Sequence, residues 1–238
     1  MTDPDRRTAL ALVTGLGMAA GGLALAGCSK GGGGEEEVTA NEDLMREHGA
    51  LRRVLIVYRE VAPKLLAAPQ TIDARAIASA ADIFRRFGEH YHEQMLEEQH
   101  IFPIVRRAGG EGAGLVDTLL AQHARGREIT AYILDRTRTG SIASGDAQSL
   151  SSAMIAFCRM YEAHTAREDT IIFPAFKKAI GEKKYDELGE QFEDIERKEF
   201  GGDGFDMALD KIAEIERTLG VSDLAGFTAP APASSQTA

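Results

Sequence analysis

Two stretches of the chain repeat a pattern of residues that could bind a metal ion. The pattern is an acidic pair, two spacer residues and Ile-Phe-Pro, and it occurs at Glu97–Pro103 and again at Glu168–Pro174. A histidine lies about one helical turn before each copy, His92 in the first and His164 in the second. Because imidazoles and carboxylates are ligands of transition metals, the repeat predicts two helices that contribute to one metal site.

The second copy has the spacing of a regular helix. Side chains four residues apart on a helix lie within about 6 Å of each other at Cβ, so His164 and Glu168 can reach one ion. Glu168 also falls in the apolar stripe of its helix, where a lone buried carboxylate would be costly. A metal ion is the partner that would offset this cost.

The first copy carries one extra residue. His92 and Glu97 are five residues apart and would lie about 140° apart on a regular helix. A π-bulge near Met95-Leu96 would realign them. Alternatively, Glu93 replaces His92 as the ligand. His90 is a further candidate, although it lies about 10 Å along the helix axis from Glu97.

Histidines on the inner faces of other predicted helices extend the site. A single histidine on an apolar stripe is usually a hydrogen-bonded core residue. Here each of four predicted helices carries one, and two of those helices add a carboxylate. Two carboxylates with four imidazoles suit two iron ions, the carboxylates bridging and the imidazoles terminal. Zinc fits less well, because structural zinc sites take four ligands and usually thiolates.

The helices that must position these residues follow from the spacing of apolar side chains. Residues recurring every three or four positions predict helices at about 42–66, 72–107, 112–139 and 146–180. Asn41 and Thr71 are the expected N-caps, and Pro103 and Pro174 are expected kinks. With such short connections, the expected fold is all-α, an up-down antiparallel four-helix bundle over residues 41–181. Two additional helices, at about 183–200 and 205–219 within 182–220, are expected to pack on it.

The N-terminus reads as an export signal. Arg6-Arg7 precede an uncharged stretch that ends in Leu-Ala-Gly-Cys, which is typical of a Tat-like signal peptide over residues 1–28 with a lipobox. Cys28 would carry the lipid, and the Gly- and Glu-rich residues 29–40 would form a flexible linker. A transmembrane anchor is the alternative. Residues 221–238, rich in Pro, Ala and Ser near their end, predict a disordered tail.

Charge and cysteine content exclude some functions. The formal net charge is −10, which argues against nucleic acid, whose binding requires a basic face. Cys158 is the single cysteine after the leader, so the body contains no intramolecular disulfide, and we expect a buried side chain. The expected contact with a membrane is through the lipid anchor alone.

At the residues that could bind metal, the chain resembles the hemerythrin-like family of HHE cation-binding domains. The resemblance covers about Glu42 to Ile180 and is carried by four motifs: His48 followed by Gly-Ala-Leu-Arg-Arg, His92 with Glu97-Glu98 and Ile-Phe-Pro, Gln122-His123, and His164 with Glu168 and Ile-Phe-Pro. It implies an up-down bundle with two non-haem iron ions (Fe²⁺/Fe³⁺). Carried over by position, the implied ligands are His48, His92, Glu97, His123, His164 and Glu168.

One departure from the family concerns the third helix. Oxygen-carrying members have a second histidine one turn after His123, where this chain has Arg127. The site is therefore expected to be more open. Glu98 and Asp169 follow the two ligand acids and are candidate hydrogen-bond acceptors or solvated residues. Tyr58, Tyr91 and Tyr161 are expected on inner faces, where they pack in the core or bond to an imidazole or a bound oxygen species.

The leading hypothesis for function is a di-iron protein of the cell envelope that binds or reduces O2, NO or peroxide. No nucleophile or general acid for organic substrates stands out, so enzymatic turnover stays open. The alternative is an envelope module that holds or senses iron without turnover. A purely structural lipoprotein bundle is a third possibility, which buried acids and imidazoles make costly. The sequence does not identify the redox partner or the oligomeric state.

Overall fold

Long helices account for most of the computed structural model, which describes residues 38–232. No strand occurs in that range, so the predicted all-α class is confirmed. The first bundle helix is α1, and the second runs continuously through an α-helix, a π-helix and a further α-helix. The third is α4, and the fourth again combines α- and π-helix. Their bounds are α1 Ala40–Ala67, α2 Ala74–Ile83, π1 Phe84–Ile101, α3 Phe102–Ala108, α4 Gly110–Thr137, α5 Ala147–Arg167, π2 Glu168–Ile172 and α6 Phe173–Ile180.

The four bundle helices pack as their short connections require. α1 packs along α5, and α4 packs against both α5 and the α2–α3 helix. The Asn41 side chain donates to the Phe173 carbonyl over 2.9 Å, so α1 begins beside the start of α6. α3 also packs against α6, so the second and fourth helices end at the same end of the bundle. Neighbouring helices therefore run antiparallel.

The two π-helices end at the Ile-Phe-Pro repeats. The Phe102 amide donates to the Glu97 carbonyl, and the Phe173 amide to the Glu168 carbonyl, each five residues back. A proline follows each of these phenylalanines, and in an α-helix its ring would clash with the carbonyl four residues earlier. A wider turn before the proline avoids that clash. It also shifts the helix phase, so that Ile172 is fully buried whereas Ile171 is only partly buried.

Two predicted helix caps are wrong by two residues. Thr39, not Asn41, caps α1 and accepts from the Glu42 amide. Asp73, not Thr71, caps α2, because its carboxylate accepts from two free amides of the first turn. The second helix, predicted to end at about residue 107, ends at Ala108, and the two glycines that follow, Gly109 and Gly110, both have a positive φ of 75–78°.

Two further helices cover one side of the bundle. α7 Glu182–Phe200 and α8 Gly204–Leu219 pack on α1, with α7 also on π1 and α8 on α2. The guanidinium of Arg53 on α1 donates two hydrogen bonds, of 2.9 and 2.6 Å, to the Glu216 carboxylate on α8. A short 3-10 helix, Leu224–Phe227, follows.

Several sequence predictions fall outside the described residues. They concern the signal peptide at 1–28 with Cys28, the linker up to residue 37 and the tail from residue 233. Within residues 38–232, no helix combines the length and the apolar character that crossing a bilayer requires. Cys158 is a free thiol, and it is buried as expected.

Candidate metal centre

The structure brings the six predicted metal ligands together in the middle of the bundle. Their imidazoles meet in two pairs. Nε2 of His48 lies 2.9 Å from Nε2 of His92, and Nε2 of His123 lies 3.1 Å from Nε2 of His164. All four histidines are almost fully buried, with exposed fractions of 3% or less.

The two carboxylates lie between the imidazole pairs. Glu97 has one oxygen 3.5 Å from Nε2 of His92 and the other 3.4 Å from Nε2 of His123. Glu168 has one oxygen 2.9 Å from Nε2 of His164 and 3.6 Å from Nε2 of His48. Each carboxylate therefore reaches one imidazole of each pair, which is the arrangement of a bridging ligand.

The outer nitrogens of the imidazoles determine their orientation. Each Nδ1–H donates to an acceptor on a neighbouring helix. For His92, His123 and His164 this is the bundle helix that comes before in the chain, and for His48, on the first helix, it is the fourth. The acceptors are Asp169 for His48 (2.6 Å), Glu47 for His92, Glu98 for His123 (2.9 Å) and Gln122 for His164 (3.0 Å). With the proton held on Nδ1, the Nε2 lone pairs all face the centre, as metal coordination requires.

The centre is electrostatically incomplete with protein atoms alone. All four side-chain oxygens of Glu97 and Glu168 are buried and form no hydrogen bond, although imidazole nitrogens lie nearby. Burial and the neighbouring Glu97 raise the pKa of Glu168 well above its usual value. Burial opposes charge on His92, yet Glu97 and Glu47 raise the pKa of that imidazole well above its usual value. These buried groups compete for protons, and bound cations would compensate the charge of the carboxylates instead.

The donor set fits metal ions. One group of side chains with converging atoms is Glu97, His123, His164 and Glu168, and a second is His48, His92 and Glu97. Within each group, one atom of every side chain lies within 4.8 Å of the others. Since Glu97 belongs to both groups, the residues present can hold two neighbouring ions through a shared carboxylate.

One end of the centre is closed by aromatic rings. Phe102 and Phe173, the phenylalanines of the two Ile-Phe-Pro repeats, stack on His123 and His48, each with ring centroids 5.4 Å apart. The same residues that end the π-helices thus exclude water from the imidazoles at that end.

The three candidates for the second-helix ligand lie in different surroundings. His92 points into the centre, and the long π1 helix, rather than a single bulge at Met95-Leu96, aligns it with Glu97. His90 is half exposed and contacts Gln94 and Glu199 at the surface. Glu93 is buried but faces the outer nitrogen of His123, at 3.9 Å.

The outer acceptors were only partly predicted. Glu98 and Asp169 are hydrogen-bonded acceptors rather than solvated residues. Glu47, whose carboxylate accepts from both Tyr91 (3.0 Å) and His92, was missed. The signal that could have found it is a carboxylate directly before a ligand histidine, since Gln122 occupies the same position before His123.

Comparisons with known proteins agree with this geometry. The family model described as the hemerythrin HHE cation-binding domain matches residues 39–144. The chain is also 44% identical over 195 residues to proteins described as uncharacterized from Mycobacterium tuberculosis and Mycobacterium bovis, covering 82% of this chain and 75% of theirs. No solved structure matches the chain. The family match ends before α5, so the placement of His164 and Glu168 rests on the structure.

Proposed function

Because the chain belongs to the hemerythrin HHE cation-binding family, we propose that its buried centre holds two non-haem iron ions and binds or reduces a small ligand, O2, NO or peroxide. His48 and His92 would hold one ion, and His123 and His164 the other. Glu97 and Glu168 would bridge the two. Such iron ions would supply one-electron chemistry between the ferrous and ferric states.

One observation carries this proposal. Four imidazoles present their lone pairs to a space that also contains four carboxylate oxygens without hydrogen bonds. A protein core would not retain two such carboxylates without compensating charge, because each buried and unpaired polar group costs about 1–3 kcal/mol. The mixture of imidazole and carboxylate donors, without thiolate, suits iron.

The chain's own residues would prepare the centre for a ligand. The four Nδ1 acceptors fix the imidazole tautomers and hold the rings in place before any ion binds. Phe102 and Phe173 keep water from one end. A small ligand would therefore meet a preorganised, largely dry site.

A second candidate is an iron-holding or iron-sensing module without turnover. Its support is a chain of contacts from the centre to the C-terminal helices. Glu47 accepts from His92 and from Tyr91, and the Tyr91 ring packs edge-on against Phe200 of α7 with centroids 5.3 Å apart. An ion that moves His92 would act on α7 through these contacts.

The envelope location is also a proposal, and it rests on the leader. If Cys28 carries a lipid, the wild-type protein should fractionate with membranes and a Cys28→Ala variant should not. Equal membrane association of the two would contradict lipid attachment.

The test of the di-iron proposal is metal analysis with optical spectroscopy after anaerobic reconstitution with ferrous iron. We expect about two irons per chain and a charge-transfer band in air. A His164→Ala variant should lose iron, whereas His90→Ala, which removes the half-exposed histidine of π1, should not.

Less than about one iron per chain, with no band, would refute the proposal. Unchanged iron content and melting of His164→Ala would favour a purely structural bundle. Stopped-flow mixing of the ferrous protein with O2, NO and peroxide separates the two candidates, since the sensing module consumes none of them.

A further inference from the structure

The two ends of the metal centre differ in chemistry. Phe102 and Phe173 follow the ligand carboxylates and cover one end. Glu89 and Tyr161 each precede the ligand histidine of their helix by three residues. Since the second and fourth bundle helices run in the same direction, these two side chains lie at the opposite end of the centre. That end is polar.

Three buried polar groups at this end have no hydrogen-bond partner at one of their atoms. They are the hydroxyl of Tyr58, the hydroxyl of Tyr161 and Oε1 of Glu89. The exposed fractions of these three residues are 1%, 3% and 5%. Each such atom costs about 1–3 kcal/mol of stability. A phenylalanine would fill the space of either tyrosine without that cost, so the hydroxyls indicate a ligand or water that is bound here.

The two tyrosines belong to one aromatic cluster that reaches the centre. Phe84 packs between them, with ring centroids 5.0 Å from Tyr161 and 6.0 Å from Tyr58, and Phe157 also contacts both. The Tyr161 ring lies 5.5 Å from the ring of His164. Tyr161 is therefore the member of the cluster that adjoins the ligand imidazoles.

The electrostatics agree with this placement. Burial raises the pKa of Tyr161 well above its usual value, and the carboxylates of Glu93, Glu168, Glu97 and Glu89 raise it further. The hydroxyl thus lies within the field of both bridging carboxylates and of Glu89. A tyrosine hydroxyl can donate a hydrogen bond.

We propose that Tyr161 is the hydrogen-bond donor to the small ligand of the metal centre, with Glu89 as the acceptor and Tyr58 as a positioning residue. Such a pair recognises a ligand that both accepts and donates hydrogen bonds. Hydrogen peroxide does both, whereas O2 and NO only accept. The centre therefore selects hydrogen peroxide. This inference rests on the proposed di-iron function.

The experiment compares iron-loaded wild type, Tyr161→Phe and Tyr132→Phe. Tyr132 is a matched control, because its hydroxyl bonds to Ser149 (2.8 Å) on the surface of the bundle. Iron content is measured first, and rates with hydrogen peroxide and with NO follow by stopped flow of the ferrous form. In the peroxide reaction two ferrous ions give two electrons and, with two protons, one peroxide becomes two waters.

We expect Tyr161→Phe to retain its iron and to react with peroxide about tenfold more slowly, which corresponds to one lost hydrogen bond. Its rate with NO should change less than about twofold, and Tyr132→Phe should match wild type with both. Tyr58→Phe should slow the peroxide reaction by a smaller factor. An independent readout is the infrared stretch of azide added to the ferric protein, which should shift in Tyr161→Phe alone.

Each other outcome has a definite meaning. Equal slowing with peroxide and NO, or no slowing and no azide shift, would overturn the inference. Loss of iron from Tyr161→Phe would also overturn it, because the hydroxyl would then serve the ions rather than the ligand. Metal-free Tyr161→Phe should melt no lower than wild type. A wild-type protein that binds no iron would instead refute the proposed function.

Discussion

The two halves of the metal centre repeat each other around the bundle. The first half comprises α1 with the α2–π1–α3 helix, and the second comprises α4 with the α5–π2–α6 helix. The main contacts of one half have counterparts in the other, so an approximate two-fold relates them. The matched pairs are His48/His123, Arg52/Arg127, His92/His164, Glu97/Glu168, Glu98/Asp169 and Phe102/Phe173.

Two of the differences between the halves each remove a carboxylate from the second half. Glu47, the acceptor for His92, is matched by the amide of Gln122, the acceptor for His164. Glu93, which contacts Arg127 at 3.3 Å, is matched by Thr165, which accepts from Arg52 at 3.2 Å.

The first difference contributes to the unequal basicity of one matched pair, His92 and His164. Burial lowers the pKa of His164 to about 4, aided by the adjacent His123. His92 is equally buried, but its carboxylate neighbours Glu97 and Glu47 raise its pKa well above the usual value. An imidazole backed by a carboxylate is a stronger metal donor than one backed by an amide. The pair His48 and His92 is therefore expected to form the tighter of the two ion sites.

The largest predicted effect comes from exchanging the acceptors. Glu47→Gln gives the first half the amide of the second, and we expect the affinity for one of the two ions to fall about 10- to 100-fold. Gln122→Glu should raise the affinity of the weaker site. Titration of the metal-free protein in the presence of a competing chelator measures both.

Gln148→Glu, an exposed exchange on α5, is the control for added charge alone. A Glu47→Gln variant that binds both ions as tightly as wild type would show that the acceptor does not make the halves unequal. Equal weakening of both ions would show that the centre behaves as one unit.

The sequence predicted the fold class and the convergence of the six ligands because both depend on helical spacing. The apolar stripes define the inner face of each helix, and the histidines lie on those stripes. The five-residue gap between His92 and Glu97 even indicated π geometry. Its length, from Phe84 to Ile101, could not be predicted, because one extra residue can be absorbed in a bulge or spread over several turns.

The outer acceptors depend on how neighbouring helices are rotated and could not be read from one helix alone. Glu47 and His92 lie on different helices, and their side chains meet because α1 packs beside π1. The caps failed for a local reason. Thr39 and Asp73 lie two residues from the predicted caps, and several residues near each helix start can accept from its free amides.

A smaller effect is predicted for the arginines, and it tests the second difference between the halves. Arg127 neutralises the buried Glu93, whereas Arg52 bonds to the neutral Thr165 at the matched position. Arg127→Met should therefore lower the free energy of unfolding by about 1–2 kcal/mol more than Arg52→Met, after allowance for the partial exposure of both guanidinium groups. Urea denaturation of the metal-free variants measures this difference.

The control gives the first half the residue that the second half has at the matched position. In a Glu93→Thr background, which reproduces Thr165, the two arginine substitutions should have equal cost. If Arg127→Met stays the more damaging change in that background, Glu93 is not the source of the difference.

The smallest predicted effect concerns the C-terminal helices, which cover only the Glu47 side of the bundle. Burial raises the pKa of Glu196 on α7 to about 7, and Glu47 and Asp43 raise it as well, although the Phe205 amide bonds to it. The unfolded carboxyl has the lower, ordinary pKa of 4.5, so the folded protein binds more protons between these two pKa values and loses stability as the pH rises through about 7. Glu196→Gln should raise the free energy of unfolding by about 1 kcal/mol at pH 8 and leave it unchanged at pH 4. Urea denaturation of the metal-free protein at both pH values, with the exposed Glu190→Gln on the same helix as control, measures this.

An equal effect at both pH values would mean that the carboxylate neighbours of Glu196 do not destabilise its ionised form. The packing of α7 on the first half would then carry no electrostatic cost.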